Sequence, residues 1–305
     1  MTEVSIVKAI QKMRCGFLDA LFSGITFLGD ELFFILVAVV LYWCVDKRFG
    51  FKMINVYLLG CTAVEGAKAL VGRARPYTYE GVVSVTEKTG GYSFPSGHSH
   101  SISNICAQIS GRYRIKTVYI VTAVISVLVA FSRVYLGQHF LSDVIVGLAL
   151  GTGIAFLLSM LFELLRDREE FIVLGVAPLC FVILLILTLT KSLDTSANVL
   201  KVLGGYSAVS IGYFVEKKYI KFDVSARWYV QIIKVVIGLA LSLAVKEGFK
   251  LFIPKSLPVL YGFVRYFATG IMATVGVTWL LKLLDLEKRI PGKKKSEKTL
   301  DNEAN

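Results

Sequence analysis

The chain has 305 residues, 55% of them hydrophobic and only 18% charged, with a formal net charge of +12. Soluble domains carry about 25% charged residues, so the composition excludes a soluble enzyme and describes an all-α, polytopic membrane helical bundle. The excess positive charge lies in short loops and in the tail KRIPGKKKSEK (288–298), where it marks the cytoplasmic side and anionic lipid head groups, not nucleic acid.

The first segment, 1–29, is no signal peptide, because Glu3, Lys8, Lys12 and Arg14 interrupt its apolar positions. Ile6, Ile10, Met13, Phe17 and Leu21 recur at helical spacing, which predicts an N-terminal amphipathic helix lying in the interface. About nine spans follow, at 30–45, 51–70, 97–112, 116–134, 140–165, 171–190, 198–215, 228–247 and 258–283. One set of alternate loops collects Lys47, Arg48, Lys52, Arg112, Arg114, Lys116, Arg166, Arg168, Lys217, Lys218 and Lys221, as does the tail. That side is expected to be cytoplasmic, which places 71–96 and 135–139 on the other face. The organisation expected is an N-terminal helix (1–29), a core (30–165), additional C-terminal spans (166–283) and a basic cytoplasmic tail (284–305). The five cysteines, Cys15, Cys44, Cys61, Cys106 and Cys180, form no CxxC pair and read as small packing residues.

Three polar strings stand out on the non-cytoplasmic face. The first is KALVGRARP (68–76): Lys68 lies near the end of a span, and Pro76 turns Arg75 out of the helix. The second is FPSGHSHS (94–101). Ser96 is a natural N-cap there, Gly97 lets an anion approach the free N–H groups of a helix start, and His98 stands in the first turn. The third is SRVYLGQHFLSD (132–143). It has Arg133 at the end of one span, His139 at the start of the next, and Asp143 four residues on, along the same helix face. A carboxylate so placed can hold one imidazole nitrogen as N–H and leave the other as a lone pair.

Singly, each string also reads as ordinary structure: interfacial anchors, a capped helix, a His–Asp pair. His98, His100, His139 and Asp143 could also be set out as a zinc site. Together, three cations, a helix N-terminus and two histidines at one face describe a cradle for a phosphoryl group. His100 falls on a different helix face from His98.

The strings resemble the signature of the type-2 phosphatidic acid phosphatase superfamily: K-x6-R-P, then P-S-G-H, then S-R-x5-H-x3-D. The resemblance covers about 51–165; no such motif is evident in 166–305. It implies a metal-independent phosphatase with no cofactor and a phosphohistidine intermediate. His139 would be the nucleophile, oriented by Asp143, and His98 the acid that protonates the leaving oxygen. Lys68, Arg75, Arg133, Ser96 and the Gly97 N–H would bind the phosphoryl oxygens. The function expected is an integral membrane hydrolase of a lipid phosphate or diphosphate monoester (polyprenyl, glycerolipid or sphingoid). Its active site would face the extracytoplasmic or lumenal side. Two alternatives use the same residues: a lipid phosphotransferase and a glucose-6-phosphatase-like enzyme for a soluble sugar phosphate. The partners expected are the lipid substrate and the bilayer, with a homodimer compatible with the surplus spans. Intramembrane Glu65, Lys191, Lys234 and Lys246 leave a transporter open as a further reading.

Overall fold

The computed structural model describes residues 2–165, 175, 178–182, 185–186, 197–254, 256–257 and 259–284, and every regular element among them is helical. Five of its helices are long and apolar enough to cross a membrane, or six if a pair bent by 50° counts as one span. Most of the span expected at 171–190, Lys191 and the tail lie outside the described residues.

The N-terminal stretch expected as one helix is two, α1 (Glu3–Gln11) and α2 (Gly16–Thr26). A short 3-10 turn follows, and Asp30 then caps α3 (Glu31–Val40) by accepting from Leu32 N at 2.8 Å. Asp46 caps α4 (Lys47–Val71), which closes on Gly72 at φ +61°, a left-handed turn that suits a residue without Cβ. After the 72–96 loop come α5 (Gly97–Tyr113), α6 (Lys116–Tyr135) and α7 (Leu141–Leu164). The C-terminal half adds α8 (Ala197–Val215), α9 (Trp228–Phe252) and α10 (Tyr261–Leu283), the last interrupted by a π turn at Met272–Gly276.

Of the expected spans, 97–112 and 198–215 are helices, but α5 and α8 are not apolar enough to count as spans by themselves. The reason for α5 is its position. It packs on α4, α6 and α7 together, so Ser99, Ser103, Asn104 and Gln108 are buried in protein and never meet lipid.

Burial against lipid-like surroundings gains little from solvent exclusion, so close approach of backbones matters more. The seam between α5 and α7 shows how. A Cβ added to Gly147 would stand 2.6 Å from Ser96 O, and one added to Gly151 would strike Ser103 and the His100 carbonyl. This G-x3-G stripe lets α7 lie directly on the start of α5, and Ser96 N donates to Asp143 O at 3.0 Å. The second and third polar strings are thereby joined backbone to backbone.

The C-terminal helices pack on the other side of α4. Phe51 stacks on Tyr213 at 3.8 Å, and the fully buried Trp43 donates Nε1–H to Ala273 O at 3.0 Å. Buried residues of both halves form one cluster, including Phe162, Val209, Phe222 and Leu281.

Candidate active site

All three strings meet at one end of the bundle. The left-handed turn at Gly72 ends α4, and the chain then leaves in extended conformation at Arg75 before Pro76. Arg75 is 3% exposed and fully directed inward. Its Nε and Nη2 donate to Gly91 O and Gly90 O at 3.0 Å, and its Nη1 lies 3.3 Å from both Gln138 O and His139 Nε2. The 90–91 loop thus fixes a guanidinium against one nitrogen of His139.

The other nitrogen, Nδ1, faces Asp143 Oδ2 at 3.6 Å. Asp143 is fully buried and well supplied with donors: Phe140 N at 2.8 Å, Ser93 Oγ at 2.5 Å and Arg73 Nη1 at 2.9 Å. A carboxylate holding that many donors stays ionised and fixed in direction. Burial pushes the His139 imidazole down to about 3, with Arg133 and Arg75 acting in the same sense against the opposing bond to Asp143. At neutral pH the ring is uncharged, with one nitrogen turned to the carboxylate and Nε2 turned to the cations.

Arg133 approaches from α6. It is 3% exposed, and Thr26 of α2 accepts from its Nη1 at 3.0 Å. Its Nε and Nη2 are buried without a partner among the described residues. Buried guanidinium donors left unpaired are costly, so these two nitrogens are suited to an acceptor brought by a ligand. Lys68 pairs with Glu65 at 2.7 Å, and its Nζ lies 3.8 Å from where a Cβ on Gly97 would stand. That ammonium therefore hangs over the α5 N-terminus, where Ser96 accepts from Ser99 N at 3.4 Å. The charges of Arg133, Lys68 and Arg75 all bear on His98. The eight expected residues, Lys68, Arg75, Ser96, Gly97, His98, Arg133, His139 and Asp143, therefore share one site. His100 does not: it turns toward Gly60 of α4, and its Nε2 is buried there.

Besides Thr26, four residues of the site escape the sequence reading. Arg73 forks onto Asp143 and onto Ser142 Oγ at 2.7 Å, stacks on Phe140 at 4.0 Å and pairs with Glu3. Glu3 also accepts from Ser142 N at 3.0 Å, so α1 is tied to the start of α7. Burial raises the Glu3 carboxyl, but its bonds from Arg73 and Ser142 outweigh that and bring it below the usual range. Ser93 bonds Asp143, as described above. Asp30, whose signal was its place as an N-cap before an apolar run, lies 3.9 Å from His98 Nε2. Among the described residues no group of three or more His, Cys, Asp or Glu is set out to hold a metal ion.

Comparison with known proteins places the chain in a family. Residues 49–167 match the PAP2 superfamily, and residues 200–289 match the transmembrane extension of PAP2 superfamily phosphatases. The second match supplies a family relation for the half in which the sequence reading found no motif. Phosphatidylglycerophosphatase B of Bacillus subtilis is 31% identical over 180 residues, which is 54% of this chain and 86% of that protein. An undecaprenyl-diphosphatase of Sulfolobus acidocaldarius is 29% identical over 156 residues, 50% of this chain and 75% of that one. The crystal structure of a transmembrane PAP2 type phosphatidylglycerolphosphate phosphatase from Bacillus subtilis aligns with TM-score 0.45 and 30% identity, over 53% of this chain and 84% of that one. The chain belongs to the PAP2 superfamily and is an integral membrane phosphatase of it.

Proposed function

We propose that this phosphatase hydrolyses a lipid phosphate or diphosphate monoester through a phosphohistidine at His139, without metal. The observation that carries the reading is the buried Arg133, whose two unpartnered donor nitrogens act on the same site as Arg75 and His139. A phosphoryl group is an acceptor of the right charge and valence for them. The substrate class is drawn from relatives named for phosphatidylglycerophosphate and undecaprenyl diphosphate. Leu70, two residues from Lys68, is 90% exposed, so an apolar surface adjoins the site, which suits a lipid better than a sugar phosphate.

In the first step His139 Nε2 attacks phosphorus and a P–N bond forms. The P–O bond to the lipid breaks, and His98 gives its proton to the leaving oxygen. In the second step water attacks phosphorus, His98 takes the water's proton, and the P–N bond breaks to release inorganic phosphate. Arg75, Arg133, Lys68, the Ser96 hydroxyl and the Gly97 N–H stabilise the charge on the equatorial oxygens in both steps. Asp143 holds Nδ1 as N–H throughout. Residues 30–165 carry this chemistry, with 166–283 as additional spans and 284–305 as a cytoplasmic basic tail. With nine crossings the N-terminus lies on the extracytoplasmic or lumenal side. The contact of Glu3 with Arg73, at the His139 end, supports that placement.

The test is phosphate release by purified protein from polyprenyl, glycerolipid and sphingoid phosphates and from glucose 6-phosphate, with a primary alcohol added. Release from at least one lipid and not from the sugar phosphate is expected. Transfer to the alcohol in preference to water would replace hydrolysis by phosphotransfer.

A further inference from the structure

One large cleft lies away from the catalytic end. This cleft of about 1290 Å³ lies between the first half of α6 and the second half of α7, backed by the C-terminal half of α5 and the start of α4. None of its lining residues falls within 68–98 or 132–143. Asp143 and the cleft residue Glu163 are both on α7, separated by roughly 30 Å at 1.5 Å per residue. That is about the thickness of the hydrocarbon core. The polar rim of the cleft therefore sits at the membrane surface opposite His139.

Wall and rim differ in chemistry. Tyr119, Val127, Phe156 and Met160 flank the opening and are between 49% and 73% exposed, so the cleft opens sideways to lipid. Inside, three hydroxyl contacts are made within the protein, while Ser159 Oγ and Gln108 Oε1 are buried with no partner among the described residues. Ser103 donates to His100 O at 3.2 Å, Ser126 donates to Thr122 O at 2.8 Å, and Ser110 and Thr122 bond each other at 2.7 Å. The hydroxyls of Ser103, Ser110, Thr122 and Ser126, satisfied in this way, accept hydrocarbon beside them.

The rim carries Arg48, Lys52, Arg112 and Arg114 against Asp46 and Glu163. Both carboxylates are taken: Arg112 holds Asp46 at 3.0 Å, and Lys52 and Arg48 share Glu163 at 3.2 and 3.8 Å. Arg114 donates Nε–H to the Gly111 carbonyl and has no acidic partner among the described residues. Among the described residues Arg114 is left as a positive charge in surplus, at the mouth of a slot larger than the roughly 300–1,000 Å³ of small-molecule pockets.

We propose that this cleft binds an anionic glycerophospholipid of the leaflet opposite the catalytic site. An acyl chain lies between α6 and α7, and the phosphodiester rests at Arg112 and Arg114. A zwitterionic lipid would bring its own ammonium to a rim already in positive surplus, which disfavours it. The bound lipid is not substrate, since its phosphodiester is a membrane thickness from His139.

The test uses full-length protein carrying His139→Ala, so that no lipid is turned over. It is titrated in neutral detergent with palmitoyl-oleoyl phosphatidylglycerol and, separately, with phosphatidylcholine of the same chains. Native mass spectrometry counts bound lipid, and thermal unfolding reads the stabilisation. Phosphatidylglycerol is expected to be retained and to raise the Tm above the value in phosphatidylcholine. Arg114→Asn, chosen because Asn tolerates the φ of +53° found there, should weaken phosphatidylglycerol about fivefold, the effect of one cation near a membrane surface. Thr152→Trp, which fills the cleft, should abolish the increment. In protein with His139 intact, both variants should hydrolyse p-nitrophenyl phosphate as before. Equal gains from the two lipids would overturn the proposal, as would phosphatidylglycerol binding indifferent to Arg114→Asn. Loss of binding in Arg133→Ala instead would place the lipid at the phosphoryl site and also overturn it. Because the readout is binding to a protein without His139, failure here leaves the catalytic reading untouched.

Discussion

Arg73 donates Nη1–H to Asp143 Oδ1 at 2.9 Å, so the carboxylate facing His139 is held by a cation from the preceding motif loop. Glu3 grips the other end of the same guanidinium and the backbone N–H of Ser142. The chain from α1 to Arg73 to Asp143 and His139 spans three separate parts of the sequence. Arg73→Ala should lower kcat by about 10- to 100-fold, the range typical of removing an orienting partner behind a site ligand. Glu3→Gln should cost less and act in the same direction, while KM for the lipid stays near its starting value. A change confined to KM would show that the network serves binding instead.

The two histidines separate by leaving group. His139→Ala should abolish both turnover and the acid-trapped phosphoenzyme. His98→Ala should lose roughly 10²- to 10⁴-fold on a lipid phosphate, the usual worth of general acid catalysis, and distinctly less on p-nitrophenyl phosphate, whose phenolate leaves unaided. Equal losses on both substrates would remove His98 as the acid. Asp30→Asn, 3.9 Å from His98, should follow the His98 pattern in milder form.

Vanadate should inhibit as a trigonal-bipyramidal mimic bonded to His139. Arg133→Ala should weaken that inhibition more than it weakens folding, because Nε and Nη2 have no partner to lose among the described residues. Activity should persist in excess EDTA. Loss of activity restored by one divalent ion would refute a cradle built from side-chain cations alone.

Acid stability gives a separate check on His139. Its pKa in the folded state, about 3, lies below the ordinary value for an exposed imidazole, about 6.5. Between those values the unfolded chain binds a proton that the folded chain does not, so stability falls as pH drops through this window. Above pH 6.5 the effect vanishes. His139→Gln should therefore lose less Tm than the parent between pH 7 and pH 4; parallel curves would mean that His139 charges readily in the folded protein.

Sidedness is read by labelling. A cysteine introduced at Glu87, whose backbone carbonyl accepts from Gln138 beside the site, should react with an impermeant maleimide on intact cells. Labelling only after lysis would invert the orientation.

The helical membrane class, the three motif strings and the eight residues within them were legible in the chain itself. Each rests on local rules: apolar run length, N-cap chemistry at Ser96, the turn forced before Pro76, and the four-residue spacing of His139 and Asp143. The polar α5 was also legible as a helix, although it falls short of the apolar criterion for a span. What could not be read was which side chains outside those strings would reach the site. Glu3, Asp30 and Thr26 come from the N-terminal helices, and Arg73 looks like one more interfacial cation until the fold brings Asp143 beside it. Such pairings depend on how closely α7 lies on α5, which Gly147 and Gly151 set by admitting the Ser96 and His100 carbonyls. The rim of the second cleft has the same origin. Arg114 caps the end of α5 and Glu163 lies on α7, and only the divergence of α6 from α7 makes their surroundings a slot with an uncompensated charge. Local sequence specifies where a helix starts and what it carries; the distance between helices is a property of packing, and in a membrane packing is set by the small residues between them.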